Sequence, residues 1–186
     1  SSIAGGQLKG YNSTRGDLDQ SIYSTSRPKL TFTGTSAYAI TLSSNIWQLR
    51  NFIIDVNSSS GSSGLNTTST SSFIYNVSVK NYDNIGITLG GSSICYYCEA
   101  ATGTASATIG INPVTLAAVI GSYVHDGTGT GIRATSQATI ENNVIANMSG
   151  ATSDCIQISP VNNPPIIRNN TAYNCGRTGI NVLNTT

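Results

Sequence analysis

The chain has 186 residues, few enough for one domain and enough to bury a sizeable core. Charged residues are only 9% and the formal net charge is +1, so no field gathers nucleic acid or an anionic membrane surface. Hydrophobic residues at 38%, with Ile and Val regularly spaced, argue against the disorder that so much Ser, Thr, Asn and Gly otherwise signals.

No apolar run approaches the roughly 20 residues needed to span a bilayer, so membrane insertion is not expected. No basic-then-apolar signal segment opens the sequence; export would follow signal removal or another route, such as virion assembly. Residues 1–27 read as a lead-in and a partial N-terminal cap. From residue 28 onward the chain predicts a succession of short strands. Small-then-aliphatic pairs recur as Ala39-Ile40, Gly64-Leu65, Gly86-Ile87, Gly110-Ile111, Gly131-Ile132, Cys155-Ile156 and Gly179-Ile180, at intervals of 25, 22, 24, 21, 24 and 24 residues. Two positions after each aliphatic stand Leu42, Thr67, Leu89, Pro113, Ala134, Ile158 and Val182, mostly apolar. Between them lie Thr41, Asn66, Thr88, Asn112, Arg133, Gln157 and Asn181, all polar. This is the alternation of a strand with one face in a core and the other in water.

A second column fills the other half of each unit. It reads Leu49-x-Asn51, Ile74-x-Asn76, Ile94-x-Tyr96, Ile120-x-Ser122, Ile140-x-Asn142 and Ile167-x-Asn169, followed by Ile54, Val79, Ile145 and Ala172 and, in three copies, by Asn81, Asn147 and Asn174. Asparagines at equivalent corners can bond side chain to side chain along a stack. A period near 23 residues with no helical pattern predicts an all-β fold, a right-handed parallel β-helix (β-solenoid) of about seven coils of 21–25 residues. At about 4.8 Å per coil such a stack rises roughly 34 Å. The run NSSSGSSGLNTTSTSS at 57–72 has linker composition, but Leu65 keeps register inside it, so it reads as a coil with a flexible corner. The sequence stops directly after a strand, at NVLNTT, and the C-terminal end of the solenoid reads as uncapped, as in part of a longer chain or an assembly.

The copies YVHDGTGTGI and IRNNTAYNCGRTGI resemble the parallel β-helix repeats of the pectin-lyase-like superfamily, over about residues 28–184. The resemblance implies the fold; lyases, hydrolases, epimerases, phage tailspikes and surface adhesins all share it. The segment GYNSTRGDLD with RPKL further resembles the lead-in of virus-associated and bacterial surface members.

Candidate chemistry is sparse. Resemblance to the hydrolases of this fold implies clustered Asp residues including an Asp-Asp pair, and resemblance to its calcium-dependent lyases implies stacked carboxylates beside an Arg or Lys. The eight acids, Asp17, Asp19, Asp55, Asp83, Glu99, Asp126, Glu141 and Asp154, are scattered and include no Asp-Asp pair. No metal site or cofactor is therefore expected. His125-Asp126 is the best catalytic pair, as base and orienter, yet it stands where other copies carry ordinary corner residues. Arg133 and Arg168 could bind an acidic sugar, or simply solubilise. Arg15-Gly16-Asp17 and the sequons at Asn57, Asn66, Asn147 and Asn169 are expected by chance in this composition.

Cys95 and Cys98 are three apart. In an extended strand that is about 10 Å, beyond disulfide reach unless the chain bends, so they read as packing or free thiols. Cys155 and Cys175 could meet across neighbouring coils, and their state stays open.

The aligned column Thr41, Asn66, Thr88, Asn112, Arg133, Gln157, Asn181 offers a flat, uncharged strip of donors and acceptors. It suits a neutral polysaccharide, with one of the nine tyrosines stacking on a sugar ring, or is a plain soluble sheet face. An ice-binding face would need paired Thr on every coil, and only fragments occur. The expected function is a non-catalytic structural or receptor/glycan-binding β-helix of a virion appendage, capsid decoration or extracellular surface protein. Its expected partners are other copies, with a homotrimer plausible, other surface proteins or a polysaccharide. The alternative is a fragment of a polysaccharide lyase, hydrolase or epimerase. That alternative requires three carboxylates, or carboxylates with His or Arg, to converge in one groove.

Overall fold

Short aliphatic-polar alternations every 21–25 residues have one way to bury their apolar side: each lies in register on the copy before it. A computed structural model of the protein describes residues 6–11, 25–35, 38–43, 47–57, 61–68, 71–104, 108–159 and 163–183. In chain order the strands are β1 (Gly6–Lys9), β2 (Lys29–Thr31), β3 (Tyr38–Leu42), β4 (Trp47–Asp55), β5 (Ser63–Thr67), β6 (Phe73–Lys80), β7 (Ile85–Leu89), β8 (Ile94–Tyr96), β9 (Glu99–Ala101) and β10 (Ile109–Pro113). They continue as β11 (Ala118–Ile120), β12 (Tyr123–His125), β13 (Thr130–Ala134), β14 (Thr139–Glu141), β15 (Val144–Met148), β16 (Asp154–Ile158), β17 (Ile166–Arg168), β18 (Thr171–Cys175) and β19 (Thr178–Val182).

Every pairing is parallel, and the strands form three faces of a solenoid. Face I stacks β1, the first half of β4, the first half of β6, β8, β11, β14 and β17. Face II stacks β2, the second halves of β4 and β6, β9, β12, β15 and β18. Face III is a separate seven-stranded sheet, β3-β5-β7-β10-β13-β16-β19. Among the described residues no helix is long and apolar enough to cross a membrane. The fold is the right-handed parallel β-solenoid predicted from the repeat. Its first strand, β1, lies inside the stretch read as a lead-in.

On face III the predicted register holds at every level. Ile40, Leu65, Ile87, Ile111, Ile132, Ile156 and Ile180 pair in succession and point into the core. At three levels the glycine before the aliphatic has a steric cause. A Cβ at Gly64 would run into Val79, at Gly110 into Val124 and at Gly131 into Ile145, so face III closes on face II only where that side chain is missing.

Face I corrects the sequence register at two levels. Leu49 stacks on Ile74, Ile74 on Cys95, Cys95 on Val119, and Val119 on Ile140, so Cys95 and Val119 are the inward residues and Ile94 and Ile120 point out. The columns Ile94-x-Tyr96 and Ile120-x-Ser122 are thus one residue out of phase, because aliphatics occupy both faces of the sheet there. Face I turns into face II through one residue at positive φ, occupied by Asn51, Asn76, Tyr97, Gly121, Asn142 and Asn169. Asn and Gly are the residues that tolerate this left-handed conformation; Tyr is not. The second corner, between faces II and III, places Asn81, Thr102, Asp126, Asn147 and Asn174 at positive φ. A side-chain ladder runs here, Asn174 Nδ2 donating to Asn147 Oδ1 at 3.0 Å and Asn147 Nδ2 to Asp126 Oδ1 at 3.0 Å. In the first-corner column, where the ladder is expected, Asn76 Nδ2 donates to Asn51 Oδ1 at 3.1 Å, whereas Asn142 and Asn169 are exposed.

A second, internal ladder runs one residue past the first corner. Asn143 is fully buried; its Nδ2 donates to Val119 O and Asn170 Oδ1 (both 2.9 Å), and its Oδ1 accepts from Ser122 N (2.8 Å). Ser122 Oγ in turn accepts from Cys98 N (3.1 Å). In the pairs Asn142-Asn143 and Asn169-Asn170 the second Asn is therefore the interior one, and Asn142 and Asn169 are exposed at the bend.

Both cysteine pairs are disulfides: Cys95–Cys98, with Cα atoms 6.0 Å apart, and Cys155–Cys175, at 5.4 Å. The first corrects the reading of packed or free thiols. The chain is not extended between the two cysteines, because Tyr97 (φ 52°) folds it around the corner. In the last coil the inward-pointing Ile180 and Val182 are 50% and 62% exposed.

Candidate functional site

The strip Thr41, Asn66, Thr88, Asn112, Arg133, Gln157, Asn181 lies where the repeat places it, one residue per level along face III. Several of its groups are spent within the molecule. Thr88 Oγ1 bonds the Tyr38 hydroxyl (3.1 Å), while Gln157 Nε2 (3.2 Å) and Asn181 Nδ2 (2.8 Å) donate to Asp154. Asp154 is fully buried and held by the Arg177 guanidinium, whose bonds keep its carboxyl below the usual range. The Asn112 Oδ1 atom is buried without a partner. What remains available at this face is Thr41, Asn66 and Arg133.

The corner between faces I and II is different. Outward on face I, Phe73 and Tyr75 stack with centroids 6.3 Å apart under the Arg50 guanidinium, which lies 4.9 Å from the Phe73 ring. Tyr96 tilts against Phe73 at 5.6 Å, and Tyr97 meets Tyr75 edge-on at 5.8 Å. Below Tyr97 stands Gly121, also at positive φ. A Cβ there would strike the Tyr97 ring, so the glycine lets that ring lie over the corner. The result is a hollow of about 600 Å³ lined by Tyr97, Ile120, Gly121, Ser122, Tyr123, Asn142 and Val144. Tyr97 and Val144 are 36% and 42% exposed. The lining is ring and aliphatic surface, with phenol and amide groups to fix an orientation, as small-ligand sites require. Sequence reasoning missed this place. Its signal was the loss of Asn from the corner column at Tyr97 and Gly121, hidden by the one-residue slip of the column at those two levels.

Behind Tyr123, whose ring stacks on His125 at 4.0 Å, lies a charged cluster on face II. His125 bonds Glu99 through Nε2 (3.0 Å) and Asp126 through Nδ1 (2.8 Å). Glu99 also accepts from Ser78 and pairs with Lys80 (3.5 Å) and Arg27 (3.8 Å). Burial pushes Glu99 upward, but the bonds from His125 and Ser78 and the charge of Lys80 prevail and bring its pKa to about 2. Burial likewise pushes His125 down, and its two carboxylate partners outweigh it, so its pKa is raised. The His125 bond, aided by Asn147, keeps Asp126 below the usual carboxylate range.

Carboxylates thus meet a His and an Arg here, the convergence that the enzyme reading requires. Both imidazole nitrogens are engaged by carboxylates, which favour the charged form of the ring and leave neither nitrogen free to take a proton from a ligand. The other described acids lie apart, Asp55 with Lys29, Asp83 with Thr104, Glu141 with Arg168 (2.8 Å) and Asp154 with Arg177. Asp17 and Asp19, with the whole Arg-Gly-Asp tripeptide, fall outside the described residues. Of the sequon asparagines Asn169 is exposed, and Asn76, which begins another Asn-x-Ser, is fully buried.

The three-faced winding, the corner asparagines and the Gly-aliphatic stack find their counterpart in the family model for the right handed beta helix region, which matches residues 63–186. The chain belongs to the right-handed β-helix family. Its membership rests on the coils from β5 to the last, which carry the corner hollow and the charged cluster. No curated protein and no solved structure matches the chain.

Proposed function

We propose that this β-helix is a non-catalytic glycan-binding protein of an extracellular or virion surface, and that it holds its ligand at the corner between faces I and II. The observation that carries the reading is the hollow beneath Tyr97. There two tyrosine rings and two aliphatic side chains make a surface for the C–H face of a sugar, and Asn142 and the phenols border it. Two disulfides, with no free cysteine among the described residues, suit an oxidising compartment. A surface of Ser, Thr and Asn with little charge suits a protein that meets polymers without electrostatic steering. The face III strip is a secondary contact in this reading, because Thr88, Gln157 and Asn181 are already bonded.

Calorimetric titration with a panel of neutral and acidic oligosaccharides tests it. At least one should bind, and Tyr97→Ala and Tyr123→Ala should each weaken it about tenfold or more, as truncation of a central aromatic anchor does. Binding indifferent to both substitutions would remove the corner from the proposal. Display on a surface or virion, with other copies as partners, predicts that the native chain is recovered in a regular multi-copy assembly by electron microscopy and mass spectrometry.

A second reading, a polysaccharide lyase, hydrolase or epimerase, draws on the convergence of Glu99, His125 and Asp126 beside the same hollow. It predicts that the bound oligosaccharide is cleaved or epimerised, and that His125→Ala abolishes turnover while leaving binding intact. An oligosaccharide recovered unchanged after prolonged incubation leaves the binding reading alone.

A further inference from the structure

The first corner repeats down the solenoid, and its six described occupants at positive φ are Asn51, Asn76, Tyr97, Gly121, Asn142 and Asn169. Five of these are residue types that accept the left-handed region readily. Tyr97 is not, and it is at Tyr97 that a disulfide crosses the bend, from Cys95 in the inward column of face I to Cys98, whose amide joins the internal ladder. We infer that Cys95–Cys98 is a positioning clamp for the binding corner: it holds the backbone at Tyr97 in the left-handed bend, and so fixes the ring above the hollow before a ligand arrives. This rests on the proposed glycan-binding reading and assigns the disulfide a part in it.

The geometry supports the division of labour. Both sulfurs are buried, so the bond presents nothing to a ligand itself. The Tyr97 amide donates to Ile120 O (3.0 Å) and the Cys98 amide to Ser122 Oγ (3.1 Å), which ties each side of the bend to the coil below, where Gly121 leaves space for the ring. An aromatic ring on an unconstrained loop surrenders rotational freedom on binding, whereas a clamped one has already given it up. The other disulfide, Cys155–Cys175, joins face III to the end of β18, away from this corner, and serves as the control.

The test substitutes the residues that the next coil carries at the same two positions. Val119 lies beneath Cys95 and Ser122 beneath Cys98, so Cys95→Val with Cys98→Ser installs side chains that already fit these columns. Hydrogen exchange at the Tyr97 and Cys98 amides should rise about tenfold or more in this variant, with the Asn142 and Asn143 amides unchanged. Affinity for the oligosaccharide bound by the wild type should fall about tenfold, and Tyr97→Ala added to the variant should cost much less than it does in the wild type. Unchanged exchange at Tyr97 overturns the clamp whether or not a ligand has been found. Faster exchange with unchanged affinity overturns its role in binding. A wild-type chain that binds none of the panel, or whose binding ignores Tyr97, instead removes the glycan reading, and the clamp's role in binding falls with it while exchange still decides whether the bend is clamped. Should the double variant not fold, Cys98→Ser with Cys95→Ala carries the same exchange measurement, and Cys155→Ala with Cys175→Ala should leave both exchange and affinity at the corner as in the wild type.

Discussion

Face III and the corner between faces I and II are built from the same repeat and have opposite characters. On face III seven levels keep phase without a slip, Gly64, Gly110 and Gly131 are fixed by closure on face II, and three of the outward polar groups are bonded to Tyr38 and Asp154. At the corner the pattern breaks at two successive levels, where Tyr97 and Gly121 replace Asn, and there a hollow opens between exposed rings. In a solenoid, equivalent positions are selected for stacking on their own kind. A departure that leaves apolar surface open to water must be explained by something other than the stack. If that division is right, substitutions in the regular stacks cost stability and leave binding alone, and substitutions at the irregular corner do the reverse.

The largest effect is expected from the disulfide that joins face III to face II. Removing Cys155–Cys175, a crosslink with a sequence separation of 20, should destabilise the fold by about 3 kcal/mol, read as a lowered urea midpoint. Next comes Asn143→Ala, which strands the Ser122 N–H and the Val119 carbonyl inside the solenoid and should cost about 2 kcal/mol. Both variants should bind oligosaccharide as the wild type does once folded. A fall in affinity without unfolding would break the division from the structural side. Gly121→Asn attacks it from the other. Asn tolerates the left-handed bend as it does at four other levels, so only the space beneath Tyr97 is lost; affinity should drop about tenfold while the urea midpoint barely moves.

How much of this was legible follows from the same contrast. The face III column could be read residue by residue because a Gly-Ile or Gly-Leu pair marks nearly every level, and the three Asn of the second corner carried the rest. Face I was legible only where its outward side is polar. At Ile94-Cys95 and Ala118-Val119-Ile120 both sides of the strand are apolar, so alternation has no phase to report and the column slipped by one. The corner site disappeared into that slip. The Cys95–Cys98 bond was hidden for a related reason, since the reach of a disulfide depends on a bend that no Asn or Gly announced. The charged cluster could not be read at all: Arg27, Lys80, Glu99 and His125 come from separate coils, and nothing in their spacing shows that they share a face.

The cluster beside the corner gives a smaller, pH-dependent effect. His125 has a folded pKa above its ordinary 6.5, so its contribution is fully present below that value and is lost as pH rises through the raised pKa. Glu99 is depressed from 4.5 to about 2, so its contribution is present above 4.5 and is lost as pH falls toward 2. Asp126, also depressed, adds in the same direction as Glu99. The stabilising window of the group therefore lies between about 4.5 and 6.5. The difference in melting temperature between wild type and His125→Gln should be wider at pH 5.5 than at pH 8.5. Equal differences at the two values would mean that the imidazole is not held charged between Glu99 and Asp126.

The smallest expected effect is the one that separates the two surfaces most cleanly. Thr88, Gln157 and Asn181 are bonded to Tyr38 and Asp154, so a ligand on face III would first have to break those bonds, and each exchange of one hydrogen bond for another yields little net affinity. Replacing the groups that remain available, by Asn66→Ala together with Arg133→Ala, should change oligosaccharide affinity by less than about twofold, well under the loss expected at Tyr97. A larger loss would mean that the polymer runs along the flat sheet after all. The aligned polar column would then be the binding surface, and the hollow at Tyr97 only the place where the aromatic side chains of face I meet the bend.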